Sequence, residues 1–306
     1  MHEVRLDLVG SLQASGPEFV KAHGTENDFV VLPDLDVALD LSPVAVATLC
    51  DRRAGLGADG LLRVARAGAL VAAGVLDELP AAVAADDWFM DYRNGDGSIA
   101  EMCGNGVRVF AHYLVASGLV SASEFTVGTR AGARPVHVWH ADGHTADVTV
   151  EMGPVRLTGE SKADVAGRTV AGVVVDVGNP HLACVVEGLD KPALDALVLP
   201  DVVAVDSDVF PAGANVEILT PVHEGAVDMR VVERGVGETR SCGTGIVAAA
   251  AAALRGADGA APRAGALTVR VPGGVVDVEF SDGSATLRGP SRLVATGRLT
   301  AGWTTS

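Results

Sequence analysis

Two copies of Cys-Gly-x-Gly, Cys103-Gly-Asn-Gly and Cys242-Gly-Thr-Gly, hold the residues of this chain best suited to chemistry. Each precedes a stretch that reads as a helix, which puts a thiol at a helix N-terminus among unpaired backbone N–H groups and the positive end of the dipole. Such a place also suits a substrate carboxylate. It can lower a cysteine pKa from about 8.5 into roughly the 3.5 to 7.5 range, giving a usable base near neutrality. One such thiol suggests a nucleophile, whereas two in similar settings suggest a base on one face of a carbon and an acid on the other. That is the minimum apparatus for inverting a stereocentre. The α-hydrogen of an amino acid is a very weak acid, so the developing charge also needs fixed donors, which two converging helix N-termini would supply.

The other polar candidates are ambiguous taken singly. His181 in VGNPH reads as a turn histidine or a proton carrier. Glu233-Arg234 reads as a surface ion pair, and Asn94, Asn179 and Asn215 lie in Gly- or Pro-containing turns where a conformational role is the default. Cys50 and Cys184 have apolar neighbours and no glycine turn, so they read as core thiols. Walker loops, His-x-x-x-His pairs and a Gly-x-Gly-x-x-Gly leading from strand to helix are all missing, so neither phosphate chemistry nor a metal is expected.

The elements that must position the thiols come twice. DYRNGDGSIAEMCGNGVRVFAHYLVASG and MRVVERGVGETRSCGTGIVAAAAAALRG both run strand, turn, Cys-Gly-x-Gly, helix, Gly, with Asn94 nine residues before Cys103 and Glu233 nine before Cys242. The first helix is expected from about Gly104, ending near Gly118. Alternation marks FTVGT, HVWH and DVTVEMG as strands, and later ALTVR, VDVEF and ATLRG. FVKAHGTENDFVVLPD reads as two short strands around a turn, which leaves Asn27 where backbone meets solvent. Leu70 to Asp87, Ala-rich with Pro80, reads as a surface excursion. Two halves built alike suggest a pseudo-twofold arrangement with a cleft between them.

Composition sets the frame. A chain of 306 residues, 48% hydrophobic, can fill two domains, and 4% aromatics with 37 glycines require a core of Ala, Val and Leu in a strand-rich α/β protein. A net charge of −16 repels nucleic acid and anionic membranes. Nothing approaches the roughly 18 apolar residues of a membrane span, and MHEVRLDLVGSLQASG does not read as a signal peptide. Four cysteines without a Cys-x-x-Cys pair read as free thiols in a reducing cytoplasm.

Taken together, HGTENDFVV, GLGADG, NGDGSIAEMCGNGVR, VGNPH, GANVEI and ERGVGETRSCGTG resemble the diaminopimelate epimerase family in order and spacing, from about Phe19 onward. The resemblance implies an α/β (α+β) fold of two pseudo-symmetric domains, each a curved, mostly antiparallel sheet around a central helix. Residues 1–151 plus 290–306 would carry Cys103, residues 152–289 would carry Cys242, and the last strand would return to the first domain. It implies interconversion of LL- and meso-2,6-diaminopimelate for lysine and peptidoglycan precursors, without pyridoxal phosphate or metal. Diaminopimelate would be the small-molecule partner, and a homodimer is admitted as the assembly.

Carried over residue by residue, Cys103 and Cys242 become acid and base, with His181 and Glu233 assisting the thiols. Backbone amides of Gly104, Asn105, Gly243 and Thr244 would hold the reacting carboxylate. Asn27, Asn94, Asn179, Asn215 and Arg234, with Glu233, would bind the remaining polar groups, an arginine fork matching a carboxylate with two hydrogen bonds. Two departures stand out. Glu26 adds a charge beside Asn27, and Gly60 stands where many relatives have a substrate-touching glutamine, so that contact is either lost or supplied by another residue. Three other readings share part of this logic: a proline or hydroxyproline racemase-like enzyme, a phenazine-type isomerase on the same fold, and a thiol redox sensor. Arg234 with the asparagines, and the presence of both cysteines, weigh against them.

Overall fold

Alternating apolar residues and frequent glycine turns make strand the commonest element of this chain. The computed structural model describes residues 16–303 except 166, 257, 258 and 260. The N-terminal extension read above as lacking an export signal falls, at residues 1–15, outside the described residues.

Glu18–Gly24 and Asn27–Pro33 pair antiparallel around Thr25 and Glu26, whose φ angles of 49° and 62° make the two-residue mirror-image turn that fits twisted strands. Asn27–Pro33 runs parallel to Gly60–Arg66, which pairs antiparallel with Trp88–Asn94. These strands, with Gly132–Ala141, Thr145–Pro154 and Ser284–Arg298, surround the helix Gly104–Ala116. That helix stops just before Gly118, whose φ of 74° is the left-handed conformation that ends helices.

The second half repeats the plan. Arg168–Asp176, Pro180–Val185, Asn215–Leu219 and Ala226–Glu233 pack around the helix Gly243–Ala253. Its sequence, GTGIVAAAAAA, has no polar face, and every residue from Gly243 to Ala252 is buried. A helix apolar on all sides belongs inside a core, and alanine lets the surrounding sheet come close. Two strand-wrapped helices thus give the pair of similar α/β halves expected from the sequence. The halves join through continuous strands. Ser284–Arg298 pairs with Gly274–Ser281 at its start and with Glu18–Gly24 at its end, so Gly289 and Pro290 lie inside a strand.

One expectation needs correction. The segment from Leu70 to Asp87 is more than a surface excursion: Ala67–Ala72 is helical, and Leu70, Leu76 and Val83 bury against Phe89 in a small core of their own. Its apolar residues come in short clusters broken by Gly74, Asp77, Glu78 and Pro80, so they show no helix or strand period yet converge in space.

Candidate active site

The turn-and-helix units bring both thiols to one place. Cys103 and Cys242 are the N-cap residues of the two central helices, in extended conformation (φ −145° and −122°), and each sulfur accepts a hydrogen bond at 3.4 Å from the third residue on, the amides of Gly106 and Gly245. The helix ends meet at Gly104 and Gly243, where an added methyl on Gly243 would stand 3.2 Å from Gly104 Cα. Both sulfurs and both glycines line a cleft of about 990 Å³, at the upper end of the usual range for ligand sites.

Of the residues named from the sequence, Asn27, Asn94, Gly104, Asn179, Asn215, Glu233, Arg234, Gly243 and Thr244 line this cleft with the thiols. Asn27 is oriented by Asp59, whose Oδ2 accepts from its Nδ2 at 2.8 Å, so Asn27 Oδ1 faces the Cys103 thiol at 3.6 Å. Asn94 donates to Ser98 Oγ at 2.9 Å, and Asn215 Oδ1 accepts from the Arg234 amide at 2.9 Å. The Arg234 guanidinium donates to Ala212 O. Glu233 accepts from Thr239 Oγ1 at 2.5 Å. The side chain of Asn105 lies fully buried beneath the wall and donates to Asn27 Oδ1 and to Ser241. The extra charge of Glu26 is drawn away from the cleft into an ion pair with Arg240 of the other half.

His181 is placed differently from the thiols it was expected to serve. It is fully buried behind the cleft wall, with Nδ1 2.7 Å from Glu217 Oε1 and Nε2 3.0 Å from Asn179 Oδ1. Both ring nitrogens face oxygen atoms, so the ring is held on both sides. Asn179 in turn donates to Thr244 Oγ1, 3.5 Å from Cys242 Sγ, so His181 reaches that thiol only through intermediates.

The expected lowering of the thiol pKa values is not met. Burial pushes Cys103 up to about 11, the Gly106 amide only partly offsetting it and the Glu233 charge adding to it. Cys242 rises well above the ordinary value through burial, then through Glu233 and Glu217. Loss of water is the larger effect and outweighs the helix ends here, with the nearby carboxylates adding to it. Glu233 itself is raised by burial, with Thr239 and Cys242 pulling it back. Among the described residues no group of three or more His, Cys, Asp or Glu side chains could hold a metal ion, and no helix is long and apolar enough to cross a membrane.

Sequence reading missed several members of the site. Tyr92 and Arg134 line the cleft, and Glu217 lies buried under Gly245. Tyr92 is two residues before Asn94 on one strand, and Glu217 two after Asn215 on another, so strand alternation carries a signal for both. Arg134 and Arg234 beside Asp59, Asp96, Glu101 and Glu233 give the wall both signs of charge, which fits a zwitterion.

Comparison with known proteins agrees with this geometry. The family model described as diaminopimelate epimerase matches residues 19–158 and 173–296. A diaminopimelate epimerase of Rhodococcus jostii (strain RHA1) is 64% identical over 288 residues, covering 94% of this chain and 98% of that protein. One from Mycolicibacterium gilvum (strain PYR-GCK) is 62% identical over 286 residues, covering 94% and 98%. Among solved structures, a probable proline racemase from Agrobacterium radiobacter K84 superposes with a TM-score of 0.64 at 15% identity, covering 93% of both chains. A phenazine biosynthesis protein of the PhzF family from Bacillus anthracis gives 0.62 at 14% identity, covering 93% of this chain and 99% of that one. At such identities these two share the fold alone.

Proposed function

The chain belongs to the diaminopimelate epimerase family, and from that premise we propose that Cys103 and Cys242 work on opposite faces of a single α-carbon, one removing its proton and the other delivering a new one. The reaction it catalyses is the interconversion of LL- and meso-2,6-diaminopimelate, a step of lysine biosynthesis. One observation carries the two-cysteine assignment: both thiols cap helices whose first glycines touch, so acid, base and two sets of free amides surround one small volume.

In that arrangement the amides of Gly104, Asn105, Gly243 and Thr244 receive the carboxylate of the reacting end, stabilising the charge that moves onto it when the α-proton leaves. One sulfur, as thiolate, takes the proton; the other, as thiol, gives its proton to the opposite face. Carbon has then lost and gained one proton with inversion, and the two sulfurs have exchanged protonation states. A thiolate must first form in a buried site. The substrate's α-ammonium lowers the cost by bringing positive charge beside the sulfurs, and Glu233, itself raised by burial, accepts the Cys242 proton. Arg234, Asn94, Asn179 and Asn215 bind the distal amino-acid end. A reaction that needs two reduced thiols suits a reducing cytoplasm.

The test is exchange with solvent. Reduced protein incubated with LL-diaminopimelate in heavy water should produce meso-diaminopimelate carrying deuterium at the inverted α-carbon. Isomerisation without solvent deuterium, or no isomerisation at all, would overturn this reading.

A further inference from the structure

Tyr92 sits on the strand Trp88–Asn94 two residues before Asn94, so both side chains project from the same face, and both line the cleft that holds the thiols. Its ring is held on two sides. Phe29 meets it edge to face, centroids 5.9 Å apart at 77°. Gly60, on the neighbouring strand, lies flat against it, and a methyl group there would stand 2.6 Å from ring Cε2. The missing side chain at position 60 is therefore what gives the ring its place. Only 8% of the residue is exposed, yet its hydroxyl bonds no described residue and is not one of the fully buried unpaired polar atoms. A phenol fixed at its ring, whose hydroxyl bonds no protein group and stays open to a polar cleft, is free to bond what the cleft holds.

We propose that Tyr92 is a substrate-binding residue of the reaction, its hydroxyl donating a hydrogen bond to an anionic oxygen at the reacting end of diaminopimelate. This rests on the epimerase reading above. Burial, then the charges of Cys103 and Glu233, hold the phenol well above its ordinary pKa, so it remains a neutral donor throughout. Such a donor adds no charge that the resting site would have to neutralise. It strengthens as the carboxylate takes on the electrons released with the α-proton, so its effect falls chiefly on kcat.

Tyr92→Phe keeps the ring against Gly60 and Phe29 and removes only the hydroxyl. With LL-diaminopimelate its kcat/KM should fall on the order of 10- to 150-fold, the range for one hydrogen bond to a charged group, at an unchanged thermal midpoint. A second readout is independent of rate. The chain has two tyrosines, so protein labelled with carbon-13 at tyrosine Cζ gives two signals, and the one missing in Tyr92→Phe belongs to Tyr92. Adding diaminopimelate to the wild type should shift that signal and leave Tyr113 in place. A variant within twofold of wild type, or a Tyr92 signal unmoved at saturating substrate, overturns the proposal. A wild type that fails to epimerise in the same assay overturns the underlying reading and this proposal with it.

Discussion

Gly104 and Gly243 begin the two central helices and meet backbone to backbone, so that a methyl on Gly243 would lie 3.2 Å from Gly104 Cα and from the amide nitrogens of Gly104 and Asn105. Two positive helix ends face each other at this contact. Such a pair of ends attracts a bound carboxylate from both sides.

Gly243→Ala should therefore press the halves apart by a few tenths of an ångström. We expect destabilisation of about 1–3 kcal/mol, the usual range for overpacking, together with a lower kcat/KM. Thermal melting and steady-state kinetics check this, and unchanged values in both would show that the contact yields freely.

Each thiol should be indispensable for inversion but only one should be needed for abstraction. Cys103→Ala and Cys242→Ala should abolish epimerisation, and the Ser variants should be severely impaired because a hydroxyl is too weakly acidic. With a substrate analogue carrying a leaving group beside the α-carbon, abstraction alone gives elimination. The two Ser variants should then eliminate from opposite stereoisomers, each using its surviving cysteine. Identical preference in both would defeat the assignment.

Arg234 should bind the distal carboxylate. Arg234→Lys keeps the charge but loses the fork, so catalytic efficiency should drop by roughly 1.5 to 3 kcal/mol. Efficiency equal to wild type would remove Arg234 from the site.

Thiol reactivity should rise with pH well beyond neutrality. A thiol is uncharged when protonated, so burial that raises Cys103 to about 11 keeps it protonated through pH 7 to 10. Its alkylation rate by iodoacetamide, followed by mass spectrometry without substrate, should climb about tenfold per pH unit over that span, where a free cysteine levels off above about 8.5. A plateau between pH 7 and 8 would mean that a thiolate stands ready in the resting enzyme.

Glu217→Gln should slow the reaction without emptying the cleft. Glu217 lies fully buried, one oxygen on His181 and the other without a hydrogen bond among the described residues. Replacing its carboxylate by an amide disturbs the hydrogen bond that orients His181, so kcat should fall by about tenfold or more while KM stays near wild type. A kcat equal to wild type would leave His181 and Glu217 as structural packing.

The chain carried much of this in its local order. Repeated Cys-Gly-x-Gly before a helix fixes each thiol as an N-cap, because glycine alone permits so close a backbone approach, and alternation marks ALTVR and VDVEF, two of the strands against GTGIVAAAAAA, a helix with no polar side to expose. What lay beyond it depended on residues distant in sequence. His181 pairs in register with Asn215 across parallel strands, Glu217 lands beneath Gly245, and Gly60 opens the space that Tyr92 fills. The thiol pKa values belong to the same class: helix position is local and favours the thiolate, whereas burial and the approach of Glu233 and Glu217 are tertiary and reverse it. Local pattern decides which groups stand at helix ends and turns. Only packing decides how much water and which charges surround them, and those set what the groups can do.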